Sequence, residues 1–329
     1  MRKGTKIVLF IGLGILAAGL ITVITIFAIN RFSFQRIVTN STSENKPVEK
    51  EAKRIEKDIT EPFTDIEILC VADHVIIKEA DSNICHLEYT EDAYTQYVVT
   101  VESGTLKITQ DSEDISWDWK NLKDILPNLL DKGFNELGAA FEDSHDLILT
   151  LPAASYGKVT VTNVSGGVEV AEKISAKDFN LATVSGTIRA EGLSSVSNIN
   201  TATTSGKIEL RNMTLTGDIN AATVSGGIIL EGIETPGKAL LATTSGKIEL
   251  TETVLGKGDI DGVSGGIQLK NMDAENMKIE LISGSVKGTI RTTKEFHVET
   301  TSGKVSVPNG AGGVWEIETV SGDVKIDLQ

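Results

Sequence analysis

The sequence predicts an all-β chain: a parallel β-solenoid of 19–20-residue coils with Ser-Gly corners, preceded by one N-terminal transmembrane helix and interrupted by a short helical insert. Three observations predict it. Ser-Gly recurs nine times at a regular interval, at Ser165, Ser185, Ser205, Ser225, Ser245, Ser264, Ser283, Ser302 and Ser321, spaced by 20 residues four times and then by 19 four times. The third residue after each Ser is Val or Ile in every copy, from Val168 to Val324. A single long run without charge occupies residues 7–29.

The elements follow in chain order. Residues 1–6 carry Arg2, Lys3 and Lys6, which favour a cytoplasmic N-terminus, although Arg31 and Arg36 beyond the apolar run weaken the asymmetry. Residues 7–29 form 23 uncharged residues. As a helix they are roughly 35 Å long, enough to cross a hydrocarbon core. The small residues Ala17-Ala18-Gly19 lie inside this run and not behind it, so an uncleaved signal anchor fits better than a cleaved signal. Residues 30–60 read as a polar and charged juxtamembrane linker, and 61–329 as the solenoid with its insert at 111–146. The bilayer is thus one expected partner, through residues 7–29, with the bulk of the chain outside the cell membrane. A formal charge of −15 repels polyanions and argues against nucleic acid as another.

Within each repeat, apolar residues alternate with polar ones on both sides of the corner. Four residues before the Ser stand Val161, Leu181, Thr201, Ala221, Leu241, Ile260, Ile279, Val298 and Ile317. Period two on both sides makes each coil two short strands about a Ser-Gly corner. A weaker anchor eight residues after the Ser (Leu193, Met213, Ile233, Met272) marks a return segment. One coil cannot bury its apolar side alone, whereas stacked coils bury it and pair every backbone edge, at about 4.8 Å per layer. Gly166, Gly186, Gly206, Gly226, Gly246, Gly265, Gly284, Gly303 and Gly322 are expected to be structural turns reaching positive φ. A Ser present nine times is a turn residue and not a nucleophile. Thr183, Thr203, Thr223, Thr243, Thr300 and Thr319 also align, with a parity that favours packing at the corner or interior.

The repeated unit, as in Thr204-Ser205-Gly206-Lys207-Ile208-Glu209-Leu210, resembles the bacterial putative-adhesin β-strand-repeat family of the toast-rack type. Leu149-Thr150-Leu151-Pro152 and Gly104-Thr105-Leu106-Lys107-Ile108 carry the same likeness upstream. The resemblance spans 65–329 with a break at 111–146. It implies an extracytoplasmic, membrane-tethered, non-catalytic protein and supplies no catalytic residue.

In the insert, Trp119, Leu122, Leu126, Leu129, Leu130, Phe134, Leu137 and Phe141 fall at helical spacing, divided by Pro127. A cap on the solenoid fits this pattern better than a partner surface or a membrane contact. Chemistry-bearing residues are sparse. His74, His86, His145 and His297 show no paired spacing, so no metal and no cofactor is implied. Cys70 and Cys85 stand on neighbouring predicted strands and could form a disulfide or remain buried thiols. Asp261, Glu280, Glu299 and Glu318 share one repeat position and would form an outward acidic ladder. Either cations bind there, or Lys278, Lys287, Lys304 and Lys325 neutralise it. The reading these features favour is a non-enzymatic, membrane-anchored module for interaction with an envelope or cell-surface protein, for envelope-stress sensing or for adhesion. A polysaccharide-acting β-helix enzyme is the alternative, and would need clustered carboxylates with aromatic platforms, for which Trp117, Trp119 and Trp315 are too far apart. A structural spacer is the third.

Overall fold

The computed structural model describes residues 52–91, 96–111 and 145–329. The expected membrane helix at 7–29 and the helical insert lie outside the described residues. Among the described residues all regular structure is β, and no helix is long and apolar enough to cross a membrane.

The first strands are β1 (Lys53–Ile59), β2 (Asp65–Leu69), β3 (His74–Glu79), β4 (Cys85–Glu91), β5 (Gln96–Glu102), β6 (Thr105–Asp111) and β7 (Asp146–Leu151). The Ser-Gly coils begin with β8 (Ser155–Thr162), β9 (Val168–Val170), β10 (Ser175–Thr183), β11 (Ile188–Glu191), β12 (Asn198–Thr203), β13 (Ile208–Thr214) and β14 (Ile219–Thr223). In the next coils β15 (Ile228–Ser245) and β18 (Ile267–Ser283) bend through the return segment without a break, while between them residues 252–253 separate β16 (Ile248–Thr251) from β17 (Val254–Ser264). The last five are β19 (Val286–Ile290), β20 (Glu295–Ser302), β21 (Val305–Ser306), β22 (Val314–Ser321) and β23 (Val324–Leu328).

Pairing is parallel and in register with the repeat, so Ile188 lies beside Val168 and Ile208, and Ile199 beside Phe179 and Ile219. Strands entering the corners form one row, in the order β5–β6–β2–β8–β10–β12–β14–β15–β17–β18–β22–β20. Strands leaving them form a second row, β1–β4–β7–β3–β9–β11–β13–β15–β16–β18–β19–β23–β21. The solenoid and its register are therefore as the repeat predicts. The inward columns make the core: Val161, Leu181, Leu241, Ile260, Ile279 and Ile317 are buried, as are the return anchors Leu193, Met213, Ile233 and Met272.

Two features depart from simple sequential stacking. At the C-terminal end the last two coils are transposed. β18 pairs with β22 and not β20, so the Ser321 coil is inserted between the Ser283 and Ser302 coils. At the N-terminal end β2 and β3 stack on β8 and β9, while the later β6 and β7 lie outside them. Antiparallel strands β1, β4 and β5 then close that end. In chain order residues 112–144 stand between β6 and β7, whereas in the adjoining layer β2 passes to β3 within a few residues.

The corner glycines are needed for a different reason from the expected one. Only Gly265, Gly284 and Gly322 have positive φ. At all nine, however, an added Cβ would stand 1.6–2.1 Å from the carbonyl oxygen of the layer below, a spacing that Cβ atoms never show. The Gly-Gly stack is too close for any side chain. The aligned threonines fasten it: Thr183, Thr203, Thr223 and Thr243 donate to the carbonyls of Gly166, Gly186, Gly206 and Gly226, at 2.9–3.2 Å. Thr319 donates to Gly284 and Thr300 to Gly322, which repeats the transposed order in side-chain bonds.

Candidate functional site

Residues on the outside of the incoming row stand in columns, because period two turns every second side chain outward and the exact register repeats it. One column is Asn180, Asn200 and Asn220, in which Asn200 donates to Asn180 at 3.0 Å and Asn220 to Asn200 at 2.7 Å. Beside it runs Ala182, Ala202, Ala222 and Ala242. The alanines keep this stretch flat, and the amide ladder fills its own hydrogen bonds from layer to layer.

Farther along the same columns the surface turns acidic. The alanine column continues into Asp261, Glu280, Glu318 and Glu299, in that spatial order, so the transposition exchanges the last two rungs of the predicted ladder. Glu318 and Glu299 are exposed, as expected of an outward ladder, but Glu280 is buried and bound to Lys278 at 3.1 Å. Lys238 meets Asp259 at 2.9 Å. Of the four lysines expected to neutralise the ladder, Lys278 does so. Lys287 and Lys325 stand on the outgoing row instead, and Lys304 lies at the end corner. Burial, with Asp259 and Glu280 close by, pushes the Asp261 carboxyl up to about 6, and its buried Oδ1 lacks a hydrogen-bond partner. Among the described residues no group of three or more His, Cys, Asp and Glu could hold a metal ion.

The outgoing row is electrically compensated across layers, with Arg189 on Glu209 at 3.1 Å and Arg211 on Glu231. Clefts are shallow. One of about 410 Å³ runs between Lys57–Glu61 and Val99–Glu102. One of about 610 Å³ lies over the return segments, walled by Pro236, Val254, Leu255 and Ala274, with the Asp273–Lys294 ion pair at its rim (2.7 Å).

The Toastrack DUF4097 family model matches residues 63–265 and 216–329. The chain belongs to that family. Solved structures similar to this toast-rack chain include a putative adhesin of Bacteroides fragilis, 14% identical, covering 84% of this chain and 97% of that one with a TM-score of 0.43. A putative lipid binding protein of Parabacteroides distasonis is 17% identical over 84% of this chain and 96% of its own, at a TM-score of 0.36. A putative cell adhesion protein of Clostridium sporogenes is 10% identical over 85% and 100%, at 0.34. No curated protein matches the sequence.

In the toast-rack stack the remaining sequence candidates separate. Cys70 and Cys85, the pair for which the sequence allows either a disulfide or buried thiols, are both buried free cysteines in this structure. Burial and then the nearby Asp58 push Cys85 up to about 12, and burial with Asp73 raises Cys70 likewise. Three of the histidines lie beside different carboxylates: His74 by Asp146 at 3.9 Å, His86 by Asp58 at 2.7 Å, and His297 by Glu295 at 2.9 Å. Trp315 is no glycan platform; it is wholly buried and donates its indole N–H to the Ala274 carbonyl at 3.2 Å. Trp117 and Trp119 lie outside the described residues.

One constellation had no repeat to announce it. Asp73, buried, stands where the Ser-Gly coils carry their Gly, and its carbonyl both underlies Gly166 and accepts from Asn163. Its carboxylate accepts the Tyr97 hydroxyl and the His145 backbone N–H. Asp73 therefore founds the corner stack.

Proposed function

We propose that this toast-rack chain is a membrane-anchored, extracytoplasmic interaction module, held in the bilayer through residues 7–29 and engaging an envelope or cell-surface protein with the outer face of its incoming row. The supporting observation is the arrangement of that face. Its side chains stand in parallel rows, a flat Asn-Ala stretch beside an acidic one, and do not converge. Catalysis needs acid, base and binding groups around one reacting atom. Rows of repeated groups suit an extended partner that is bound over several layers.

A photo-crosslinking residue at Ala202 in the full chain, expressed in its membrane, tests this reading. A discrete, saturable adduct that Ala222→Arg abolishes is the expected result. No adduct, together with shortening of envelope glycans by the purified chain, would favour the enzyme instead. A membrane-impermeant maleimide reads the topology: Thr301→Cys should label on intact cells, and labelling only after lysis would overturn the outside placement.

A further inference from the structure

The two ends of the stack differ. At the N-terminal end antiparallel strands finish both rows: β1, which ends the outgoing row, carries five charges in seven residues, which discourages further pairing, and β5 ends the incoming row, paired only with β6 among the described residues and with Val99 and Val101 half-buried. At the other end β20 pairs only with β22, and β21 only with β23, among the described residues. Core columns emerge there uncovered. Phe296 and Val298 are half-buried, where their neighbours Trp315 and Ile317 are wholly buried. Val305 is 47% exposed, where Val324 in the layer below is 0%.

Residues 1–51, 92–95 and 112–144 all join the structure at the closed end. Ten layer steps of about 4.8 Å put the open end roughly 48 Å from β6 and β7. The 112–144 stretch must travel out and back, which uses nearly its whole extended reach of about 3.3 Å per residue. With residues 7–29 held in the bilayer as proposed above, the stretch before β1 from Thr39 to Glu51 has Val48 as its one large apolar residue and offers no strand that could fill the end.

We propose that the open end joins two copies of this chain about a two-fold axis, β20 antiparallel to β20 and β21 to β21 of the second copy. Head-to-tail stacking would set β21 on the charged β1, which favours contact between like ends. A two-fold contact leaves neither copy with a free edge there, as closed symmetry requires. Charge selects the register. Centred on Val298, it sets His297 of each copy opposite Glu299 of the other, and Phe296 opposite Thr300. The association is independent of the partner-binding role proposed above, which uses the side of the stack and not its end.

The test uses the full chain in nanodiscs. With Val298→Cys the two introduced thiols face each other across the axis, so oxidation should give a reducible covalent dimer, and light scattering should give twice the monomer mass for the parent chain. Val98→Cys, exposed on β5 at the closed end, should give none. His297→Glu should weaken association about tenfold by opposing two acids twice, and His297→Glu with Glu299→Lys should restore it. A parent chain monomeric at all concentrations, equal crosslinking from Val98→Cys, or no rescue by the double variant with its β-sheet spectrum intact would overturn the proposal. So would a Val298→Cys adduct to a different protein in place of the second copy.

Discussion

Gly246→Ala places the corner stack under direct test. The new Cβ would lie 1.6 Å from the Gly226 carbonyl oxygen, and reaching even 3.0 Å moves the corner by about 1.4 Å. That movement breaks the Ser245 N–H bond to the Val224 carbonyl (2.8 Å) and the Thr243 hydroxyl bond to Gly226 (3.2 Å). Two such bonds, with the polar groups left behind, amount to about 3–4 kcal/mol. The lower chain entropy of Ala returns about 0.4–1 kcal/mol. A net loss of about 3 kcal/mol raises local opening roughly 100-fold, read as faster amide hydrogen exchange across β15, β16 and β17. Exchange is the suitable assay because long repeat arrays do not unfold as one unit. Gly227→Ala is the comparison: its Cβ would sit 3.2 Å from the Lys247 carbonyl, so exchange should change less than tenfold. Equal protection in the two variants would show that glycine is retained here for some reason other than contact between layers. Thr243→Val separates the bond from the clash, and should raise exchange in the same strands by a smaller factor.

Two further outcomes follow from buried groups. Asp261 takes up its proton at about 6 in the folded chain against an ordinary 3.8, so the folded state holds more protons between those values and loses stability as pH rises through that window. The site is partly open to water, which leaves about 1 kcal/mol after screening. Asp261→Asn should therefore raise the thermal midpoint at pH 7.5 and leave it unchanged near pH 4, and a gain of equal size at both would contradict the assignment. Cys70 and Cys85, both held as thiols well above their usual range, should resist iodoacetamide at pH 8 in the folded chain and react in denaturant. Rapid native labelling, or a non-reducing gel shift of the untreated chain, would overturn that.

The repeat made register legible before any coordinates, because period two and the Ser-Gly landmark fix which residues face inward and which coils align. It left layer order unspecified: every coil carries the same landmark, so the Ser302 and Ser321 coils are interchangeable by pattern. The nearest signal is the stretch Val307 to Gly313, where Pro308 and three glycines replace the usual return anchor and give the chain slack to step back one layer. The corner glycines were located by the repeat, but their cause was not, since a contact of Gly246 with Gly226 depends on how close the layers stack and not on local φ. The acidic ladder was found as a column, yet the burial of Glu280 and its bond to Lys278 arise from neighbours outside that column. Asp73 was invisible because Ala72-Asp73 stands in for Ser-Gly in a coil with no repeat signature.

Disulfide trapping between chosen layers decides the stacking itself. Lys278 lies beside Glu316 in the structure, whereas His297 is a layer beyond. A full chain with cysteines at 278 and 316 should oxidise to an internal bridge, and one with cysteines at 278 and 297 should not. The reverse pattern would mean coils laid down in simple chain order, and free thiols in both would mean that the coils do not stack in this register.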